Sequence, residues 1–258
     1  MKGDVLKVTA TERPSYLIVE GGTVVSVKTL KRAYPEDVKP ADYRAVVRCD
    51  DAAKWKLVAD KVEGLYGELG RPYPFCRQPA KEPSFAVVED PELGKCLELD
   101  LGKPDLSLPK AVFEYAVLEL KEPVVLPGKA QSLGAVVKGN SGWGRLYWIL
   151  EGADGKRAIS CGHRDWYEDF DDVGKMSLGF SGWRFLHYPV GEHSSIRDYS
   201  INHVSDLWFD GLGEGLDAVK YPAKLVGFAF AAESRPLFLF ERRQREQKVR
   251  IKEVGFYD

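Results

Sequence analysis

The sequence lacks the features that mark several well-known classes of enzyme and membrane protein. No apolar stretch approaches the roughly 20 residues that a membrane-spanning helix needs. The four cysteines form no CxxC pair and the four histidines lack metal-ligand spacing, so a zinc site is not predicted. HExxH, P-loop and G-x-S-x-G motifs are missing as well, so the sequence carries none of the usual signatures of zinc proteases, P-loop proteins and α/β-hydrolases.

A strong charge of either sign is also missing. The 37 basic and 39 acidic residues leave a formal net charge of -2. Nucleic acid is therefore not expected as a partner, because phosphate binding needs a basic face. With 44% hydrophobic residues over 258 positions, the chain can bury a core without a metal or disulfide. The cysteines (Cys49, Cys76, Cys96 and Cys161) are accordingly interpreted as buried or half-buried free thiols.

Helical periodicity is scarce, and the best candidates are short, such as Ala52–Leu57 and Leu65–Leu69. Instead, apolar and polar residues alternate with period two between Gly, Pro, Asn and Asp. The strands predicted in this way are Leu6–Ala10, Ser15–Val19, Arg44–Arg48, Ser84–Val88, Lys95–Leu99, Phe113–Leu120, Ser132–Lys138, Arg145–Glu151, Arg157–Cys161, Trp183–Pro189, Lys224–Ala231, Leu237–Glu241 and Val249–Phe256. So many short strands with so little helix predict an all-β, antiparallel sandwich or barrel.

The chain is predicted to have three parts. Residues 1–32 form a short β-hairpin segment, which cannot bury a core alone and must add to another sheet. Residues 33–44, with two prolines and many charges, are interpreted as a linker, and residues 45–258 as the main domain. The N-terminus has no signal-peptide core, which leaves two interpretations: a cytosolic protein, or an internal piece of a larger one.

Five stretches of the main domain, in this order, carry a family resemblance: Glu89–Asp100, Ser132–Asn140, Gly142–Trp148, Gly182–Pro189 and Val249–Asp258. Their succession resembles the jelly-roll, galactose-binding-like modules of large bacterial polysaccharide-degrading enzymes. The resemblance implies an antiparallel β-sandwich over residues 45–258. Leu6–Gly22 is similar to the last hairpin of the β-sandwich that follows the catalytic barrel in some glycoside hydrolases. That likeness implies a catalytic domain upstream and a secreted or cell-surface location.

Period-two alternation sorts the candidate binding residues by face. In Arg145–Glu151 the apolar set Leu146, Trp148 and Leu150 is expected in the core, which leaves Arg145 and Tyr147 for a ligand. The same reasoning places Val136 and Lys138 on one face, opposite Ala135 and Val137.

Both faces of Trp183–Pro189 are amphipathic, so no face is assigned to Arg184, and Trp183 is expected in the core. The loop Gly162–Lys175 concentrates aromatic and acidic residues, as binding loops do, although a solvated acidic loop is an equal alternative. The binding candidates are Trp166, Tyr167, Arg145, Tyr147, Lys138, Arg184, Trp208 and Asp165.

The resemblance also implies a structural Ca²⁺ near the first and last strands. Asp258 and Asp50 would supply oxygen ligands, which a hard cation requires. No other cofactor is expected.

The function predicted from these features is noncatalytic binding of a polysaccharide or oligosaccharide, which targets an attached glycoside hydrolase to its substrate. The expected partners are the glycan and the upstream catalytic domain, with no membrane and no nucleic acid, and the chain is expected to be a monomer. Two alternatives stay open: a structural accessory sandwich that braces a catalytic domain, and a β-sandwich glycosidase or lyase.

Overall fold

A computed structural model of the protein describes residues 39–58, 77–108, 113–128, 130, 132–140, 144–159, 178, 180–189, 220–233 and 247–257. Within these ranges the chain forms twelve strands and a single 3₁₀ turn, Ala52–Lys54. The strands are β1 (Arg44–Arg48), β2 (Trp55–Val58), β3 (Arg77–Pro79), β4 (Ser84–Asp90), β5 (Gly94–Asp100), β6 (Phe113–Val125), β7 (Ser132–Asn140), β8 (Arg145–Glu151), β9 (Arg157–Ile159), β10 (Ser181–Pro189), β11 (Lys224–Glu233) and β12 (Lys248–Tyr257). No helix among the described residues is long and apolar enough to span a membrane.

The strands form two six-stranded sheets. Sheet A has the order β10-β7-β12-β5-β4, with β1 also paired to β12. Sheet B has the order β2-β6-β11-β8-β9, with β3 also paired to β6. Every described pairing is antiparallel except that of β3 with β6. The prediction of an antiparallel β-sandwich of the jelly-roll kind is confirmed.

The core lies between the two sheets and is rich in aromatic rings. Trp148 of β8 packs edge-on against Phe228 of β11, with 5.6 Å between ring centroids, and against Tyr188 of β10 at 6.0 Å. Because Tyr188 belongs to sheet A, this contact joins the two layers. Leu146, Trp148 and Leu150 all lie in the core, as the alternation predicts.

The strand predictions agree closely with the structure, and the helical prediction at Ala52–Leu57 is wrong. Asp51 accepts a hydrogen bond from the Ala53 amide, which caps one turn. The chain then becomes β2, because Trp55 is buried in the core and pairs with Leu120 of β6.

The predicted hairpin β8–β9 is confirmed, with Gly152 donating its amide to the Lys156 carbonyl across the loop.

Cys49 and Cys96 are free, buried thiols, as expected. Cys76 and Cys161 lie outside the described residues, as do the predicted strands Leu6–Ala10, Ser15–Val19 and Leu237–Glu241 and the helix Leu65–Leu69. The predicted division at residues 32 and 44 stays a prediction.

Candidate functional site

We call the face of each sheet that is turned away from the other sheet its outer face. In β10, Leu186 and Tyr188 lie in the core, so Trp183, Phe185 and His187 belong to the outer face of sheet A. Lys138 of β7, Arg250 of β12 and Glu98 of β5 also alternate with core residues and share this face. The pairing register aligns them in one row across the sheet, in the order Trp183, Lys138, Arg250, Glu98.

Aromatic rings cover the other end of this face. Tyr43, Phe185, His187 and Tyr257 form a chain of edge-to-face contacts with centroid separations of 5.1, 4.8 and 5.5 Å. His187 Nδ1 and the Tyr257 hydroxyl are 2.6 Å apart. Phe185 is buried, whereas the other three rings are half-buried.

A glycine makes room for these rings. At Gly134 of β7, a Cβ atom would collide with the Phe185 ring and lie 3.0 Å from the ring of Tyr43. The absence of a side chain at this position therefore lets both rings approach the backbone of the sheet closely.

A buried carboxylate, Asp90, lies at the end of the face that carries Trp183 and Lys138. Its side chain is 0% exposed and accepts hydrogen bonds from Lys138 Nζ at 2.7 Å, Trp183 Nε1 at 2.9 Å and Arg250 Nη1 at 3.1 Å. The backbone amide of Glu92 donates a fourth at 2.9 Å. Asp90 and these partners, together with Glu98, are called the Asp90 network below.

Asp90 reaches Trp183 although it belongs to β4, at the opposite edge of the sheet. Three strands separate β4 from β10, which places them about 19 Å apart at the usual spacing between strands. Because β5 pairs with β12 only from Leu97 onward, the β4–β5 hairpin can leave the sheet beyond that point. Its tip, Glu89–Lys95, therefore lies across the outer face and borders the site.

The electrostatics follow from these contacts. Burial alone would raise the pKa of Asp90, but the hydrogen bonds from Lys138, Trp183 and the Glu92 amide outweigh it, so its pKa lies well below the ordinary value. Glu98 accepts from Arg250 Nε at 2.6 Å, and Lys248 lies 3.2 Å from Asp100. Three cations thus face three carboxylates in this part of the face, and the charges cancel.

Of the predicted binding residues that the structure describes, only Lys138 belongs to this face. Arg184 lies on the opposite side of β10, with its guanidinium 5.0 Å from the ring of Phe180. Trp183 is half-buried on the outer face, so its prediction as a core residue is wrong. Alternation could not decide this, because both faces of β10 carry apolar and polar side chains.

Arg145 and Tyr147 lie on the outer face of sheet B, as predicted from the alternation in β8. Tyr147 is completely buried there, and Arg145 is half-buried with its guanidinium 5.0 Å from the ring of Phe113. Their role in binding stays a prediction that the burial of Tyr147 does not favour.

The loop candidates Asp165, Trp166, Tyr167 and Trp208 lie outside the described residues. Asp50 is exposed beside β1, and Asp258 is outside the described residues, so the calcium site stays a prediction. Among the residues that the structure does describe, no group of three or more His, Cys, Asp or Glu could hold a metal ion.

Sequence reasoning missed Asp90, Arg250, Glu98, Tyr43 and Tyr257. One local signal for Asp90 was available: in Asp90-Pro91-Glu92 the Asp side chain can accept the backbone amide two residues on, which favours an Asx turn. The contacts with Lys138, Trp183 and Arg250 span 48, 93 and 160 positions, so no local pattern reveals them.

The fold and this face define a β-sandwich with a polar and aromatic outer surface. Solved structures similar to this chain include a family 11 carbohydrate-binding module of a cellulosomal cellulase from Clostridium thermocellum, with 11% identity and a TM-score of 0.42 over 84% of this chain and 95% of that one. A second structure of such a module from Clostridium thermocellum contains a β-1,3-1,4-mixed-linked tetrasaccharide (10% identity, TM-score 0.40, 84% and 96% coverage).

The enzymatically active domain of a tailspike protein from bacteriophage CBA120 is also similar, with 10% identity and a TM-score of 0.33 over 81% of this chain and 20% of that one. No family model and no curated protein matches the chain. Likenesses at this level carry no argument about the ligand, which must come from the residues themselves.

Proposed function

We propose that the outer face of sheet A binds a carbohydrate without cutting it. The observation that carries the proposal is the half-buried indole of Trp183 beside Lys138, with Arg250 next in the row. Proteins bind sugars by placing an aromatic ring against the C–H face of the pyranose and polar groups against its hydroxyls. Lys138 and Arg250 are 23% and 33% exposed, so both can still donate to a ligand.

The charges favour a neutral carbohydrate. Lys138 and Arg250 already face Asp90 and Glu98, and Lys248 faces Asp100. An anionic sugar would have to compete with these carboxylates for the same cations, whereas hydroxyl groups add hydrogen bonds without disturbing the balance.

The state of the carboxylates supports binding rather than hydrolysis. Glycoside hydrolysis uses a pair of carboxyl groups about 5 to 10 Å apart, one of which must hold a proton to give to the leaving group. Asp90 is fully buried, has four donors and has a lowered pKa, so it is a poor proton donor. Glu98 is hydrogen-bonded to Arg250.

The wider proposal is that this binding directs an attached glycoside hydrolase to its substrate at the cell surface or outside the cell. It rests on the sequence resemblance described first. Fusing the chain to a glycosidase that lacks a binding module, and comparing hydrolysis of insoluble and soluble substrate, tests it. A gain on the insoluble substrate alone is the expected result.

Affinity electrophoresis of the full chain in gels that contain neutral or uronic-acid polysaccharides tests the binding itself. We expect retardation by at least one neutral polysaccharide, and an affinity at least about tenfold lower for Trp183→Ala, because stacking rings dominate such sites. Leu106→Ala, which truncates an apolar side chain that is 63% exposed elsewhere, is the control and should bind like the wild type. Failure of every polysaccharide to retard the protein would refute the proposal.

A purely structural sandwich is the second candidate function, and one observation favours it. Tyr43, Phe185, His187 and Tyr257 pack edge-to-face against each other, as rings do in a small core. This alternative predicts that no glycan retards the chain and that Trp183→Ala lowers only its stability. Release of reducing ends by the chain would instead establish an enzyme.

A further inference from the structure

We propose that Asp90 is a positioning residue. It holds the Trp183 ring and the tip of the β4–β5 hairpin in the arrangement to which the glycan binds. The inference rests on the proposed function, and assigns to Asp90 no contact with the sugar. Its basis is that one buried carboxylate connects four strands: β4, β7, β10 and β12.

The indole of Trp183 needs such a restraint. Trp183 is the third residue of β10, which among the described strands has a neighbour in sheet A on one side only. An aromatic ring on an exposed face can adopt several rotamers, and ordering it on binding costs free energy. A hydrogen bond of 2.9 Å from Nε1 to Asp90 removes this freedom before the ligand arrives.

The same carboxylate also holds the hairpin tip. Asp90 Oδ1 accepts the Glu92 amide, which closes the turn, while Oδ2 accepts from Lys138 and Arg250 on the sheet beneath. Lys138 Nζ lies 5.7 Å from the centre of the Trp183 ring, so the ammonium is close to one face of the indole. The ring, the ammonium and the turn are therefore set by a single group.

A second aspartate offers a matched control. The Asp105 side chain accepts a hydrogen bond from the amide of Ser107, two positions on, as Asp90 does from Glu92. Asp105 also pairs with Lys81 at 2.6 Å, as Asp90 does with Lys138. Asp105 lies after β5, and its side chain contacts Ser107 and Lys81, neither of which belongs to the outer face of sheet A. Substituting it removes the same local contacts without touching the site.

The test compares Asp90→Ala, Asp90→Asn and Asp105→Ala in the full chain by two measurements. The first is the ¹H–¹⁵N spectrum of the six tryptophan indoles, in which the Trp183 signal is assigned by its loss in Trp183→Phe. The second is the affinity for the neutral polysaccharide that most strongly retards the wild type.

We expect Asp90→Ala to shift the Trp183 indole signal and to lower the affinity about tenfold, because the ring loses a charge-assisted hydrogen bond. Asp90→Asn keeps an oxygen acceptor for the indole, so it should restore the signal and most of the affinity. Asp105→Ala should leave both measurements at their wild-type values.

Two results would overturn the positioning role. One is an Asp90→Ala protein with a shifted indole signal and unchanged affinity. The other is an Asp90→Asn protein with the wild-type indole signal and an affinity as low as that of Asp90→Ala. If no polysaccharide binds even the wild type, the proposed function fails, and the positioning role fails with it. If Trp183→Ala loses affinity but Asp90→Ala does not, only the positioning role fails.

Discussion

The outer faces of the two sheets differ in how deeply their central residues are buried. On sheet A the face carries half-buried rings and a network of paired charges around Asp90. On sheet B the middle of the corresponding face is apolar and 0–2% exposed, and includes Phe113, Tyr115, Val117, Tyr147, Ile149, Ala229 and Ala231. Arg145 on the same face is half-buried, and Glu119 pairs there with Lys56 and Arg157. The middle of sheet B is thus buried on both faces, whereas sheet A is buried on one and only partly covered on the other.

This difference shows why alternation alone cannot locate a binding face. It separates the core side of a strand from its outer side, and does so correctly for Tyr147 in sheet B and for Lys138 in sheet A. Whether the outer side meets solvent depends on the rest of the chain. Tyr147 at 0% exposure and Lys138, whose side chain is 23% exposed, both alternate with core residues, and their surroundings differ.

The largest predicted effect comes from truncating the outer face of sheet B. Tyr147→Ala should lower the free energy of unfolding by about 3–5 kcal/mol, the cost of removing a fully buried ring. Urea unfolding followed by circular dichroism measures it, with Tyr147→Phe as the milder control. A stable Tyr147→Ala protein that had lost its glycan affinity would instead make this face the binding site.

Two glycines provide a second comparison. A Cβ at Gly227 of sheet B would collide with the Leu118 carbonyl oxygen and lie 2.8 Å from Glu119 Cα, so the backbone must move. Gly227→Ala should therefore cost about 1–3 kcal/mol of stability. At Gly134 of sheet A the Cβ would meet ring atoms of Phe185 and Tyr43, which can rotate. Gly134→Ala should cost less stability than Gly227→Ala, and should reduce the affinity for glycan.

Acid should weaken the Asp90 network. Because the pKa of Asp90 is lowered in the folded protein, its charged form stabilises the fold above its ordinary pKa of about 4. This stabilisation is lost as the pH falls from there through the lowered pKa. The free energy of unfolding should decrease as the pH is lowered from about 6 to about 2. In Asp90→Asn this decrease should be smaller by on the order of 1 kcal/mol. A variant curve parallel to the wild-type curve would contradict this prediction.

The smallest effects are expected from two half-exposed lysines, one on each sheet, whose carboxylate partners are largely buried. Lys39 pairs with Glu253 on sheet A and Lys56 with Glu119 on sheet B, and both lysine side chains are about half exposed. Lys39→Ala and Lys56→Ala should each change the free energy of unfolding by less than about 1 kcal/mol, with less change at high salt. A larger loss for Lys39→Ala alone would show that its contact with the Tyr43 ring supports the aromatic end of the site.

Most of the described strands could be predicted from the sequence, because alternation and turn residues act locally. Arg44–Arg48 and Arg145–Glu151 are predicted with their observed ends. β2 was missed because Ala52–Leu57 favours a helix locally, and the burial of Trp55 overrides that preference. β3 has only three residues and too little pattern to be recognised.

The site was much less predictable than the strands. Lys138 was found because its neighbours Val137 and Ala135 are apolar and fix its face. Asp90 could not be found, because its partners belong to three neighbouring strands, which it reaches only when the β4–β5 hairpin bends over the sheet. A carboxylate that is buried by distant chain segments has the same sequence appearance as one in a solvated turn.

The pairing of β12 has a consequence for how the protein is made. This strand pairs with β7 along one edge and with β5 and β1 along the other, and all these partners precede it by more than one hundred positions. On the ribosome, every described strand of sheet B is synthesised before β12, while β7 and β5 each still have an open edge. Such long-range pairing is slow, and open edges attract other chains. Sheet A is therefore the layer whose nascent form most needs protection from aggregation.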